Sequence, residues 1–456
     1  MNLKKKRVTV IGLGKSGEAA AALLSSQGAK VTVVDDHPSD PPFALTSLKS
    51  NFPILFHLGS WVADDLLSQD LIVISPGVPL SRLPESELLR AGIPIIGEME
   101  LAFQFITAPV IAITGTNGKS TTTTLVAEIL KESGLNIFCG GNIGVPLSLA
   151  ALQSFDYVVV EVSSFQLETI VTFRPKIAAL LNVTEDHLNR HGSLEKYREI
   201  KERIFSNQTE DDYAVFNDND PPSQLSTLKG SLIGFENRDK NVPPTKQHPS
   251  TQGVALSGDT IVSNVIGSVH PIIALNAIKL FGSHNVENVM AAIAMSQLAG
   301  ATHAAIEKTL TRFSGLPHRM EKVREIAGVT YINDSKGTNV GAALKSLEGM
   351  RQPVILIAGG LDKGADFAPL RKMIFTKVKR LILMGDAVPK MARCFHDYPA
   401  MIKVDSMQEA VLAAAAESRP GDVVLLSPSC ASFDMFKNFQ HRGDCFKQAV
   451  LELESR

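Results

Sequence analysis

A lysine followed by two hydroxyl residues, Lys119-Ser120-Thr121, closes the loop in VIAITGTNGKSTTTTLVAEIL. The loop lies between an apolar strand and a helix. Successive N–H groups of Gly115, Thr116, Asn117 and Gly118, with the helix start, would make a cradle for phosphate oxygens. Lys119 would neutralise β- and γ-phosphates, and the hydroxyl of Ser120 or Thr121 would reach Mg²⁺. The strict G-x-x-x-x-G-K-[ST] spacing requires glycine at position 113, which is Ile113, so this is a shortened form. A metal on bound phosphates calls for a carboxylate, and Glu161 ends the apolar run YVVVE. A buried, unpaired carboxylate is costly, so Glu161 faces a cation, lies at the strand's end, or pairs with a lysine.

Other polar clusters follow strand-like runs. LLNVTEDHLNRH places Asp186, His187 and His191 after a strand, where open α/β sheets bind ligands. His187 there suits either a metal or phosphate role or plain polar surface. Lys201, in REIKERIF, reads from spacing as a solvated helix charge. Asn285 and Asn288 stand three apart on an otherwise apolar helix, fit to bond a base, with N-capping by Asn285 the simpler alternative. YINDSKGTN (Asp334, Ser335, Lys336, Thr338, Asn339) and LLSPSCASFDMFKNFQHRG (Ser432, Phe433) repeat the arrangement, as ligand contacts or as capped loops.

A second glycine loop complicates the reading. VTVIGLGKSGEAAAALL carries Gly12-x-Gly14-x-x-Gly17 between a strand and a helix, and Asp35 ends the next apolar run. That is a dinucleotide-binding fingerprint. A dehydrogenase would use it, but would leave Lys119 and Glu161 without a role.

The elements that must position these residues alternate strand with helix along most of the chain, predicting an α/β protein with parallel sheets. With 456 residues, about three domains are expected. The first, residues 1–97, is Rossmann-like; the second, 98–314, is P-loop ATPase-like; the third, 315–456, is again Rossmann-like. Residues 217–260, rich in Pro, Asn, Asp, Ser and Gly, read as turns and small antiparallel strands. Hydrophobic residues at 44% and charged residues at 20% allow real cores. A net charge of −2 argues against nonspecific nucleic-acid binding. No run approaches the roughly 18 apolar residues of a membrane span, and the basic start precedes a stretch only a strand long, so a soluble protein is expected. Four cysteines without metal-ligand spacing read as reduced thiols in a cytoplasm.

Together the segments GLGKSG, SPGVP, TGTNGKST, GGNIG, EVSSFQLE, NVTEDHLNRH, GSHNVENVMAA, FSGLPHRME, NDSKGTN and LLSPSCASFDMFKNFQHRG resemble the Mur ligase family, nearest to its D-glutamate-adding branch. The resemblance implies a uridine-nucleotide domain, a central ATPase and an amino-acid domain. It implies ATP-dependent addition of D-glutamate to UDP-N-acetylmuramoyl-L-alanine through an acyl phosphate, in cytoplasmic peptidoglycan precursor synthesis. It also implies a monomer without nucleic-acid partner or membrane insertion. By the family pattern, Ser120, Glu161, His187 and a carbamylated Lys201 serve two Mg²⁺ sites, with Mn²⁺ as the alternative metal. Lys119 joins Glu161, His187 and Lys201 as catalytic. Asn285, Asn288, Arg319 and Asp334 hold ATP together with the loop 115–121. Asn142 and His187 meet the acyl substrate, while Thr338, Lys363, Ser432, Phe433 and Phe439 surround D-glutamate. Gly14, Lys15, Ser16, Asp35, Asp36 and Ser75 match positions around uracil and diphosphate, and His318 falls near the last domain interface. Asp36-His37 stands where the family pattern has Thr-Arg, and GGLDKGADF departs from it around Lys363.

Overall fold

The computed structural model describes residues 1–36, 43–46, 52–59, 63–186, 188–236, 252–280 and 283–453. The chain divides into two compact units. One holds Met1–Val183, His187–Ile273 and Val289–Thr309; the other holds Thr184–Asp186, Ala274–Asn288 and Leu310–Arg456.

The first unit contains two sheets. In the first, β1 (Arg7–Ile11), β2 (Lys30–Asp35), β3 (Leu55–Leu58), β4 (Leu71–Ile74) and β5 (Ile95–Gly97) run parallel in the order β3-β2-β1-β4-β5. Near-continuous apolar strands suit a sheet covered on both faces. Val8 and Val10 of β1 pack with Leu23 and Leu24 of the helix Lys15–Ser26, whereas Ile11 joins Ile72 and Ile74 on the other side. The strand order reverses between β1 and β4, which places the Gly12–Gly17 turn and Ser75 at the switch point. Gly17 is required there by contact, because a Cβ on it would lie 1.8 Å from Gly12 O.

The second sheet has nine strands: β6 (Val110–Thr114), β7 (Ile137–Gly141), β8 (Tyr157–Glu161), β9 (Ile177–Leu180), β10 (Tyr213–Asn217), β11 (Ser231–Glu236), β12 (Gln252–Ser257), β13 (Thr260–Ser263) and β14 (His270–Ala274). Their order is β14-β13-β12-β11-β10-β9-β6-β8-β7, parallel from β7 to β12. This corrects the expectation of small antiparallel strands over 217–260. β11 and β12 extend the parallel sheet, and the β12–β13 pair is antiparallel. Ile233 and Phe235, two apart on β11, are buried, as is Val254 opposite Phe235 on β12, so short runs between turns still bury one face. A short helix, Glu98–Phe103, precedes β6. Its Glu100 carboxylate accepts the amides of Val171, Thr172 and Phe173 at 2.9 Å each, fixing the segment between the two sheets.

The second unit is built on one sheet: β15 (Glu321–Ile326), β16 (Val329–Asn333), β17 (Val354–Gly359), β18 (Val378–Met384), β19 (Met401–Lys403) and β20 (Val423–Leu426), in the order β15-β16-β20-β17-β18-β19. All pairings are parallel except the β15–β16 hairpin. Its two turn residues, Ala327 and Gly328, both take positive φ (48° and 75°), the twist that a two-residue hairpin needs. β15 is a largely polar edge strand with no apolar run to mark it. Leu356, Leu381 and Leu425 fill one face of this sheet, and Ile355, Ile382 and Val424 the other. Among the described residues no helix is long and apolar enough to cross a membrane.

Candidate active site

The phosphate loop sits at the carboxyl end of β6, beside β9, where the second sheet's strand order reverses. Gly118 ends it with φ +85°, a left-handed turn that aims the start of the helix Lys119–Glu132 into the loop. The loop is braced from β9: Thr116 N–H donates to Asn182 O, Asn117 N–H to Asn182 Oδ1, and Asn182 Nδ2 returns a bond to Asn117 O. Asn182 was not singled out in the sequence; only the loop's fold brings it within reach.

Two lysines converge here. Lys119 Nζ donates to Gly115 O and Thr116 O, both at 2.8 Å, and Lys201 Nζ donates to the same Gly115 O at 2.8 Å. Two ammonium groups sharing one carbonyl repel each other, and an anion between or beside them relieves that repulsion. Lys201 is 1% exposed, so the reading of a solvated helix charge is corrected. It lies on the helix Leu194–Glu202 with its amine 4.5 Å above the Tyr197 ring.

Glu161 ends β8, buried at 2% exposure. Ser120 Oγ donates to Glu161 Oε2, and Asn142 Nδ2 donates to Oε1 at 2.6 Å. The carboxylate is therefore satisfied by a hydroxyl and an amide, and not by a lysine. Its donor set with Ser120 is all oxygen, the kind that suits Mg²⁺ or Mn²⁺. Thr121 is buried in the first helical turn. Among the described residues no group of three or more His, Cys, Asp or Glu could hold a metal, and His187 lies outside them.

In the first sheet Gly14 caps the helix Lys15–Ser26, with Lys15 exposed and Ser16 half-buried. Asp35 Oδ2 accepts Leu13 N–H at 2.6 Å, and Ser75 Oγ donates to Gly12 O at 2.8 Å. Asp36 pairs with Arg82. His37 falls outside the described residues.

The second unit gathers the rest. Asn285 is the third residue of the helix Ser283–Leu298, so it is not an N-cap, and it accepts from Asn288 Nδ2 at 3.0 Å. Asp186 Oδ2 accepts from Asn339 Nδ2 at 3.2 Å. Asp334 follows β16 and takes bonds from Ser346 Oγ at 2.7 Å and Ser427 Oγ at 2.9 Å. Burial raises its pKa to about 6, against those two hydroxyls, the Met320 amide and the Arg319 charge, which all lower it. Arg319 is half-buried between His318 and Met320, and both of these take positive φ (63° and 49°). Lys336 Nζ lies 4.3 Å above the Phe439 ring, and the Thr338 amide bonds Lys336 O. Lys363 Nζ stands 5.8 Å from the centre of the Phe433 ring, which is 64% exposed, while Ser432 is buried beneath.

Arg442 was not singled out in the sequence, although it lies in the quoted QHRG. It is 2% exposed and donates to Ser335 Oγ and to the carbonyls of Ser335, Cys430 and Ala431. It thus ties the loop after β16 to the loop after β20, and burial lowers its pKa to about 10.

Three family models match successive parts of the chain: the Mur ligase MurD-like N-terminal domain over residues 6–97, the Mur ligase middle domain over 113–296, and the Mur ligase glutamate ligase domain over 318–430. The UDP-N-acetylmuramoylalanine–D-glutamate ligase of Pelotomaculum thermopropionicum is 43% identical, covering 99% of this chain and 98% of its own length. The enzyme of that name from Geotalea uraniireducens is 42% identical over 100% and 99%. In fold the chain is similar to a pseudomurein peptide ligase type C from Methanothermus fervidus (TM-score 0.62, 19% identity, 99% of this chain and 100% of that one). It is also similar to the MurF ligase from Thermotoga maritima in complex with ADP (TM-score 0.60, 17% identity, 99% and 96%). Likeness that runs end to end, through both glycine loops and the two lysines beneath the second, leaves one assignment: the chain belongs to the Mur ligase family.

Proposed function

We propose that this chain is an ATP-dependent ligase that adds D-glutamate to UDP-N-acetylmuramoyl-L-alanine in peptidoglycan precursor synthesis. The observation that carries the chemistry is the convergence of Lys119 and Lys201 on Gly115 O, beside the buried Ser120–Glu161 pair. The choice of substrate is supported by the 43% identity to a D-glutamate ligase across 99% of the chain.

Transfer of a phosphoryl group between anions depends on charge neutralisation and in-line placement. Lys119 and the loop amides hold the β- and γ-phosphates. Ser120 and Glu161, with His187, hold Mg²⁺, and Mn²⁺ would fit the same oxygen donors. Held by those residues, the ion would supply positive charge against the phosphates. The substrate carboxylate, beside Asn142, displaces ADP to give an acyl phosphate; the amine of D-glutamate then attacks the acyl carbon and releases phosphate. The Lys201 ammonium would lose one proton, and reaction of the free amine with CO₂ would make a carbamate and release a second. That replaces a repelling ammonium with an anionic oxygen donor, while its N–H still reaches Gly115 O. Asn285, Asn288, Arg319 and Asp334 are assigned to ATP, and Thr338, Lys363, Ser432, Phe433 and Phe439 to D-glutamate. Gly14, Lys15, Ser16, Asp35, Asp36 and Ser75 are assigned to the uridine diphosphate. The corresponding domains are 1–97, 98–314 and 315–456, in a cytoplasmic monomer.

The test is phosphate release from ATP with UDP-N-acetylmuramoyl-L-alanine and each of D-glutamate, L-alanine, a diamino acid and L-glutamate in turn. D-Glutamate alone should stimulate turnover. Stimulation by a different amino acid would reassign the specificity, and hydride transfer from a nicotinamide would overturn the ligase reading.

A further inference from the structure

His191 reads in the sequence as one of three polar groups after a strand, and the reaction proposed above has no use for it. In the structure it is buried at the end of the short helix Leu188–His191. Its ring stacks on Tyr197 (centroids 5.1 Å apart, planes 28° from parallel) and, at 5.5 Å and 26°, on Phe165. Nε2 lies 3.0 Å from Ser164 Oγ, and Nδ1 lies 3.4 Å from Glu168 Oε1. Glu168 is held in turn by Arg190 at 2.6 Å, and Arg203 donates to Glu168 O at 2.8 Å.

The imidazole therefore has a polar neighbour at each ring nitrogen and stacks against two aromatic rings. Its far neighbour, Tyr197, is 2% exposed and carries the Lys201 amine 4.5 Å above its ring. The series Phe165, His191, Tyr197, Lys201 is one continuous stack, and it ends on Gly115 O of the phosphate loop. A lysine side chain has four rotatable bonds, so a fixed surface beside its stem narrows where the amine can rest.

We propose that His191 is a positioning residue for Lys201, acting as an aromatic plate that sets the Tyr197 ring and, through it, the amine beneath the phosphate loop. The inference rests on the ligase reading for its kinetic consequence, but not for its structural one. Since the plate works by its face, another aromatic ring can replace it and a hydrogen-bonding chain cannot.

Two variants separate the possibilities. His191→Phe keeps the stack and loses the polar contacts of both ring nitrogens. His191→Gln keeps a donor and acceptor and loses the stack. Thermal unfolding of both is recorded first, and two readouts follow: ATP turnover with both substrates, split into kcat and KM for ATP, and amide hydrogen exchange over residues 115–121. His191→Phe should keep kcat within about threefold of the parent and leave exchange in the loop unchanged. His191→Gln should lose about tenfold in kcat, more than in KM, and exchange faster in the loop, a tenfold change being about 1.4 kcal/mol of barrier. The inference is overturned if Gln is tolerated and Phe is not, because the hydrogen bonds would then be what matters. It is also overturned if both variants match the parent, if both lose activity alike, or if neither alters the loop. If the parent itself shows no D-glutamate-dependent turnover, the ligase reading fails, and the exchange comparison still decides the stack.

Discussion

The two glycine loops of the first unit share one plan, a buried parallel strand, a tight turn and a helix start, yet they are finished in opposite ways. In the first, the side chains that reach the loop come from neighbouring strand ends and bond its backbone: Asp35 takes Leu13 N–H and Ser75 gives to Gly12 O. These bonds stiffen a turn whose outer residues, Gly14 and Lys15, stay exposed. In the second, Asn182 bonds the backbone likewise, but the loop's own Lys119 is joined by the arriving Lys201 ammonium and by a buried carboxylate bonded to Ser120. A glycine pattern thus specifies a backbone turn with an anion-friendly helix start, and the residues arriving from elsewhere decide between holding a ligand and transforming it.

The comparison can be broken at its most reactive point first. Lys119→Ala should lower D-glutamate-dependent phosphate release about a thousandfold, the scale for removing a charge aimed at a transferring phosphoryl group. A loss under tenfold would make the second loop no more catalytic than the first. Gly17→Ala should cost the first loop about 3 kcal/mol of stability, because its Cβ would meet Gly12 O at 1.8 Å. Gly14→Ala, with nothing within 4 Å, should cost less than about 1 kcal/mol. Urea unfolding of the pair checks that Gly17, and not Gly14, is fixed by contact. Glu161→Gln keeps size and loses charge, so it should cut turnover about a hundredfold and flatten the dependence on Mg²⁺ concentration. Unchanged Mg²⁺ dependence would remove Glu161 from the metal.

The carboxyl end of β16 offers a control without glycines. Asp334 has a folded pKa raised to about 6, so its neutral form is the one that the fold favours. Its contribution to stability is full below about pH 4 and is lost as pH rises through about 6. Asp334→Asn should remove that loss, and the variant should gain on the parent by about 2 kcal/mol between pH 4 and 7 in denaturant titrations. A constant difference across that range would show that Asp334 titrates normally. The smallest effect is expected for Ser75→Ala, about 1 kcal/mol of stability from one hydroxyl–carbonyl bond, with kcat barely changed.

Much of this was legible in the chain. Apolar runs such as VIAIT suit strands covered on both faces, as the sheets show. The loop 115–121 and Glu161 stood out because their chemistry is local to a strand end. β15 did not, because a polar edge strand carries no apolar signal. The parallel course of β11 and β12 was hidden too, since alternation is alike in parallel and antiparallel strands. Lys201, His191 and Arg442 were missed or misjudged for a common reason. Each has ordinary polar neighbours in sequence and acquires its environment from segments far along the chain, Lys201 from Gly115 and Arg442 from Ser335.

The sequence by itself determined three α/β sheets and two glycine turns, because hydrophobic period and turn chemistry act over a few residues. Only the tertiary structure decided which charges are buried and what they face. Burial and Coulomb interaction depend on distance in space. Parallel sheets with crossovers bring together residues that no local pattern relates: 86 positions separate Lys201 from the carbonyl it holds.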